Sequence, residues 1–354
     1  MKKQFKIGDL EFSKPIVQGG MGIGISLSNL AGNVSKNGGL GVLSSVEMGC
    51  DYPNYKENPK LANRQAMEDH FKRAKEISGN RPIGINIMVA LTQYEQLVKD
   101  AIQVGVDIIF AGAGLPLTLP ELTRNSLIKI APIISSKRVA KLILKHWWRH
   151  YKIVPDAIVL EGPLAGGHLG FKTEDLTPER LLAQPLPGLI PGVLEEIKPY
   201  EELVGRKIPL IAGGGITTAQ DVKETLAAGA DAVQIGSRFV ATQECDASLA
   251  FKEALVNAKK SDIEIIASPA GLPGRAIHTP FLEEVSAGLR KPKSCPVNCI
   301  KSCDHKTTPY CIASALIAGK WGDFKNGYVF SGANAYKINE ITTVEALMNE
   351  LMGI

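Results

Sequence analysis

The stretch 157-AIVLEGPLAGGHLGF-171 holds the residue types best suited to chemistry in this chain. It reads as a buried strand, Ala157 to Leu160, that stops at an acid, Glu161. Gly162, Pro163, Gly166 and Gly167 follow, and then His168. An apolar run that ends in a charge and opens into glycines suits a strand delivering a polar residue to a site. Glycines let a backbone approach a flat or anionic ligand with no Cβ in the way. A histidine beside them can take or give a proton near neutral pH. A turn carrying a surface histidine is the plainer reading of the same residues.

Three more stretches share this build. In 15-PIVQGGMGIGIS-26 a short strand runs into Gly19, Gly20, Met21, Gly22 and Gly24. In 82-PIGINIMV-89 the apolar run is interrupted by Asn86, and a polar residue in a buried strand needs a hydrogen-bonding partner. That partner is either inside a barrel or at the edge of a ligand. The pair 208-IPLIAGGGI-216 and 231-DAVQIGSRF-239 end in Gly-rich turns at expected helix starts, the first with Thr217 or Thr218 as N-cap. Amides at such starts point outward and favour an anion. Two tight turns without a ligand are the alternative.

The elements that must position these residues alternate strand and helix. Eight such alternations fit Pro15 to about Lys259. That is close to the roughly 250 residues of a (β/α)8 TIM barrel, which places its ligands at the carboxyl ends of the strands. The fold class is therefore α/β. A doubly wound open sheet is disfavoured, because the glycine turns are spread around the chain rather than gathered at one switch point. The expected division is a barrel domain over 1–260 and a C-terminal extension over 261–354 that packs on it. A helix is expected over Arg64 to Ser78, another near Val193 to Leu203 within a long loop, and a last one from Thr343.

Composition excludes several classes. Hydrophobic residues at 45% and charged residues at 21% describe a globular chain rather than a disordered one. A net charge of +4 is too weak and too spread to argue for nucleic acid. The basic run from Lys137 to Lys152 also carries Trp147, Trp148 and Tyr151, and reads as two faces of one helix. No stretch has the length of a signal peptide core or a spanning helix, so a cytoplasmic protein without membrane contact is expected. A homodimer is one assembly open to it.

Taken in order, PIVQGGMG, GINIMV, EGPLAGGHLGF, IPLIAGGGI and DAVQIGSRF resemble the nitronate monooxygenase (2-nitropropane dioxygenase) family. That family is similar to the FMN-dependent enoyl-acyl-carrier-protein reductases. The resemblance spans about residues 5 to 285 and implies FMN at the carboxyl face of the barrel. It implies that the phosphate sits on Gly213, Gly214, Gly215, Gln234, Ile235, Gly236 and Ser237. The ring would lie against Gly19, Gly20, Met21 and Gly22 and near Asn86. Glu161, Gly166 and Gly167 match the stretch that contacts the cofactor, and His168 matches the active-site histidine. The implied activity is oxidation of alkyl nitronates with dioxygen to a carbonyl compound and nitrite.

This chain departs from the pattern in three places. Nitronate monooxygenases usually carry Gln where Glu161 stands, and the reductases more often carry Glu. Both groups commonly have an acid at the position of Leu164, and Thr at that of Ser237. A NAD(P)H-dependent FMN reductase, acting on an enoyl thioester or a quinone, is thus the alternative within the fold. A non-catalytic flavin-binding protein is the alternative outside it.

The segment 295-CPVNCIKSCDHKTTPYC-311 stands apart from these motifs. Cys295, Cys299, Cys303 and Cys311 are numerous enough to ligate zinc or an iron–sulfur cluster. Their spacing is not that of a zinc knuckle, and no metal is assigned. A helix with Cys295, Cys299 and Cys303 along one face is the plainer reading. His278 is expected to cap a turn, and His70, His146 and His150 to be solvated on helices.

Overall fold

The structure, a computed structural model, describes residues 4–292, 294–295 and 297–354. Met1 to Lys3, at the head of the expected barrel domain, Lys293, and Pro296 of the Cys-rich segment lie outside the described residues.

A hairpin of β1 (Phe5–Ile7) and β2 (Leu10–Phe12) precedes the barrel. The first half of the barrel then runs β3 (Ile16–Gln18), α1 (Ser28–Lys36), β4 (Gly41–Ser44), α2 (Pro59–Ser78), β5 (Ile83–Met88) and α3 (Tyr94–Val104). It continues with β6 (Ile108–Gly112), α4 (Leu119–Thr123), β7 (Lys129–Ile134), α5 (Lys137–Tyr151) and β8 (Ile158–Glu161). After a short β9 (Gly167–His168) come α6 (Pro178–Ala183), α7 (Leu186–Val204), β10 (Leu210–Gly213), α8 (Ala219–Ala227) and β11 (Ala232–Ile235). The chain goes on through α9 (Ser237–Val240), α10 (Leu249–Val256), β12 (Ile263–Ala267), β13 (Pro273–Ile277) and α11 (Pro280–Ser286). It ends with α12 (Ile312–Lys320), β14 (Val329–Phe330) and α13 (Val344–Met352). Among the described residues no helix is long and apolar enough to cross a membrane.

Eight parallel strands form one sheet in the order β3–β11–β10–β8–β7–β6–β5–β4. The seam between β3 and β4 closes through a single parallel bridge, Val17 to Leu40. Gln18 extends that seam with its side chain. Its fully buried amide donates to the Val42 carbonyl at 3.1 Å and accepts the Val42 N–H at 3.0 Å. Backbone groups that the short ladder would leave unpaired are satisfied this way. The expected (β/α)8 barrel is what the chain forms.

Alternate strand residues point to opposite faces, and the barrel sorts them into two cores. Val17, Val42, Phe110, Ala131, Val159, Ile211 and Ala232 pack inside with Phe5, Ile7 and Phe12 of the hairpin. Their strand neighbours Ile16, Leu43, Ile85, Ile109, Ile130, Leu160, Leu210 and Val233 pack outward under the helices. The hairpin thus plugs one end of the barrel with apolar side chains, and the cavity lies at the other.

Several elements differ from the sequence expectation. The second helix begins at Pro59, not Arg64, because Asn58 caps it by accepting the Leu61 N–H at 3.1 Å, with Pro59 in the first helical position. The helix expected near Val193 starts at Leu186 and carries Pro191 and Pro199 inside it. Burial of Leu186, Ile190, Val193 and Ile197 along one face outweighs the cost of the prolines. The basic run is the helix expected, with Trp147 fully buried and its ring N–H donating to Pro116 O at 3.1 Å.

Candidate active site

The carboxyl ends of the barrel strands open into a cavity of about 640 Å³, within the usual range for small-molecule sites. Gly19, Gly20, Met21 and Gly22 line it from the turn after β3, and Asn86 from β5. Glu161 lines it from the end of β8, with Gly166, Gly167 and His168 from the following loop. Gly213, Gly214, Gly215, Gln234, Ile235, Gly236 and Ser237 come from the turns after β10 and β11. The residues matched above to the cofactor stretch and the active-site histidine therefore line one space.

The glycines are not all there for the same reason. A Cβ on Gly166 would come within 2.5 Å of the Ser331 carbonyl carbon and 2.6 Å of the Gly332 nitrogen, so packing of two chain segments demands glycine. Gly19 and Gly236 are different. A Cβ there would meet nothing nearer than 3.5 Å, the Gln234 side chain and the Met21 sulfur respectively, and neither has a left-handed φ. What these two glycines keep clear is the cavity itself.

The turns after β10 and β11 offer backbone donors. Among the described residues the amides of Gly214, Gly215, Gly236 and Ser237 have no protein acceptor. The first turn leads into α8 at Ala219, capped by Thr218, one of the two caps named from the sequence. Asp221 completes that cap by accepting the Thr217 and Thr218 amides at 2.8 and 2.9 Å. The Ser237 hydroxyl accepts the Gly332 N–H at 2.8 Å. The neighbouring Ser331 hydroxyl is buried at the cavity wall without a partner among the described residues.

His168 sits on β9, which pairs antiparallel with β13, opposite Gly274. Its Nε2 lies 2.7 Å from the Ser268 hydroxyl, and its ring meets Phe330 edge-on, with centroids 5.1 Å apart. Burial alone pulls its pKa down to about 4, so the ring is neutral at neutral pH. Glu161 shifts the other way. Burial raises its carboxyl to about 7, against the opposing pull of the Gly170 amide and the Arg275 charge. The site thus holds a neutral imidazole and a carboxyl that can keep its proton near neutrality.

Arg275 was not foreseen as part of the site. This buried guanidinium on β13 donates to Pro163 O at 2.9 Å and to Ala165 O, pinning the loop between Glu161 and His168. Burial lowers its pKa to about 10, opposed by Glu161. Ser268, Phe330, Ser331 and Asn334, which donates to Gly215 O at 2.6 Å, were missed as well. The one signal for them was an arginine inside the apolar run GRAI of 268-SPAGLPGRAIHTPF-281.

Three expectations are corrected. His278 neither reaches the cavity nor caps a turn. Its ring pairs with Glu264 at 3.0 Å, and Thr279 caps the next helix by accepting the Leu282 N–H. His70 is half-buried against the Ser28 hydroxyl at 3.1 Å rather than solvated. The Cys-rich segment is irregular where described, not helical. All six cysteines are free thiols, and Cys299 lines the main cavity. Among the described residues no group of three or more His, Cys, Asp or Glu is set to hold a metal ion.

A barrel with such a cavity at its carboxyl end has the architecture of a small-molecule enzyme. The family model for nitronate monooxygenase matches residues 3–353, and the chain belongs to that family, which makes it an oxidoreductase. A probable nitronate monooxygenase of Staphylococcus aureus (strain JH9) is 27% identical over 316 residues, covering 78% of this chain and 79% of the relative. The solved structure of FabK from Thermotoga maritima superposes with a TM-score of 0.73 at 24% identity, over 97% of this chain and 92% of that one. Nitroalkane oxidase from Streptomyces ansochromogenes does so with a TM-score of 0.72 at 22% identity, over 97% and 95%. Both likenesses bear on the fold.

Proposed function

We propose that this chain binds FMN in the cavity and oxidises alkyl nitronates with dioxygen to a carbonyl compound and nitrite. We read residues 1–260 as the FMN-binding barrel and 261–354 as an extension packed on it. The carrying observation is His168, a neutral, half-buried histidine in the wall of a glycine-lined cavity. Its fit to FMN rests on three features. Gly19 and Gly236 leave room for a flat ring, four free amides suit a phosphate, and the Ser331 hydroxyl awaits a polar partner. FMN supplies the redox chemistry when bound, and the chain supplies position and proton control.

In this reading Gly213, Gly214, Gly215, Gln234, Ile235, Gly236 and Ser237 hold the phosphate end. Gly19, Gly20, Met21, Gly22 and Asn86 bound the ring, together with Glu161, Gly166 and Gly167. A neutral imidazole accepts a proton from the α-carbon of a nitroalkane, or donates a hydrogen bond that orients a nitronate. It has no spare proton to give at neutral pH.

Glu161 favours a second reading, the NAD(P)H-dependent reductase. There the protonated carboxyl, rather than His168, is the group able to supply a proton near neutrality. Replacing His168 with Asn tests the first reading. The variant should keep its FMN and lose turnover of neutral nitroalkane by about 100- to 10,000-fold, and lose less with preformed nitronate. Equal turnover would remove His168 from the reaction.

A further inference from the structure

Glu47 is an acid in the cavity wall that the flavin reading leaves unused. It stands in the turn after β4 with a left-handed φ of 43°, a strained backbone for any residue but glycine. Strain of this kind persists where the surroundings fix it, and it gathers at ligand sites. Glu47 is only 5% exposed. The Tyr55 hydroxyl and the Asn63 side-chain amide both donate to its Oε2, each at 2.9 Å. Asn63 is held in turn by the Gly49 N–H, which donates to its Oδ1 at 2.9 Å. One carboxylate oxygen is thus fixed by two neutral donors. The other, Oε1, has no donor among the described residues, yet it is not sealed off as the Ser45 hydroxyl is.

A buried carboxylate is costly without a cation to match it, and Glu47 pairs with none among the described residues. Val46, Met88, Leu91 and Ile300 make the lining on its side largely apolar. Lys172, the basic residue of the lining, is exposed on another loop and pairs with Glu174 at 3.4 Å. The missing partner is therefore supplied by a ligand. Its place follows from the barrel. With β3 beside β4, the strands β4 and β8 lie four steps apart in either direction round the sheet. Glu47 follows β4 and His168 follows β8, so the two stand on opposite sides of the cavity mouth. We propose that Glu47 determines specificity at the far end of the substrate, and that this end carries a protonated amine. The ammonium donates to Oε1 while the carbon to be oxidised lies at His168. The substrate class is a nitroalkane or nitronate with an amino group at the other end of its chain. This inference rests on the oxidation proposed above and narrows it.

The test compares kcat/KM for 3-nitropropylamine with that for 1-nitrobutane, its match in length, and repeats this with longer homologues of each. At the best chain length the native enzyme should favour the amine by about 10- to 100-fold, the worth of one charged hydrogen bond in a buried site. Glu47→Gln should erase that preference while keeping its FMN. Glu47→Gly, which suits the left-handed backbone, makes the same test if the first variant does not fold. Equal kcat/KM for amine and alkane in the native enzyme at every length would overturn the proposal. So would a preference that survives in the variant. Loss of FMN from the variant would put Oε1 on the cofactor and overturn it too. If no nitroalkane is turned over, the oxidation itself fails, and binding then decides the matter for Glu47. Hexylamine should raise the melting temperature of the native protein more than 1-hexanol does, and no more than 1-hexanol does in Glu47→Gln. Equal shifts in the native protein would count against Glu47 as the amine's partner.

Discussion

On the barrel side of the cavity, Gly19, Asn86 and Gln234 sit at or just beyond the ends of strands tied by parallel ladders. On the other wall, His168 sits on a two-residue strand hung from β13, more than a hundred residues later in the chain. The first wall is fixed by the eight-stranded sheet and shaped by which positions lack a side chain. The second is fixed by a few polar contacts, chiefly Arg275 to the carbonyls of Pro163 and Ala165, and Ser268 to His168. The rigid wall suits holding a cofactor, and the strapped wall suits setting a reacting group. A scaffold of the first kind gives precision from packing, whereas the second depends on individual hydrogen bonds.

Breaking the strap should have the largest effect. Replacing Arg275 with Met leaves two carbonyls without their charged donor and Glu161 without its nearest cation. A stability loss of about 3 kcal/mol is expected in denaturant titration. Turnover should fall further than FMN affinity does. Loss of FMN with turnover per bound flavin unchanged would put Arg275 on the cofactor side instead. Replacing Gln18 with Leu attacks the barrel wall at its seam, where Val42 would lose both partners. About 1–3 kcal/mol should be lost, with turnover per folded molecule unchanged.

The two titrating groups sharpen the comparison by moving in opposite windows. His168 has its folded pKa depressed from 6.5 to about 4. Its contribution to stability is complete above 6.5 and is lost as pH falls through 4. Glu161 has its folded pKa raised from 4.5 to about 7, so its contribution is complete below 4.5 and is lost as pH rises through 7. Melting temperatures of His168→Asn should lack the acid-side decline that the native chain shows, and those of Glu161→Gln should lack the decline toward pH 7. The smallest effect is expected for Ser268→Ala, at about 1 kcal/mol or less, seen mainly as a shift in the pH profile of turnover. An unchanged profile would mean that Ser268 does not position the imidazole.

The same contrast explains what was legible in the sequence. Strands of the barrel are local apolar runs, and their glycine turns are adjacent to them, so the residues of one wall could be named before the fold was seen. The loop 162–168 could be named as well, because Glu161 precedes it and His168 ends it. What holds that loop could not. Arg275 and Ser268 act across about a hundred residues or more, and nothing local in an irregular excursion fixes its register. Boundaries were misread where a cap or a buried face overrode composition, as at Asn58 and around Pro191.

The most direct test is anaerobic reduction of the purified protein, followed by flavin absorbance. One sample is mixed with propyl-2-nitronate and another with NADPH or NADH. The account predicts a flavin spectrum that changes with nitronate and not with the nicotinamides. Rapid bleaching by NAD(P)H alone would contradict it and move the chain to the reductase reading, with Glu161 as its proton source. A protein that carries no flavin would remove the cofactor from both walls.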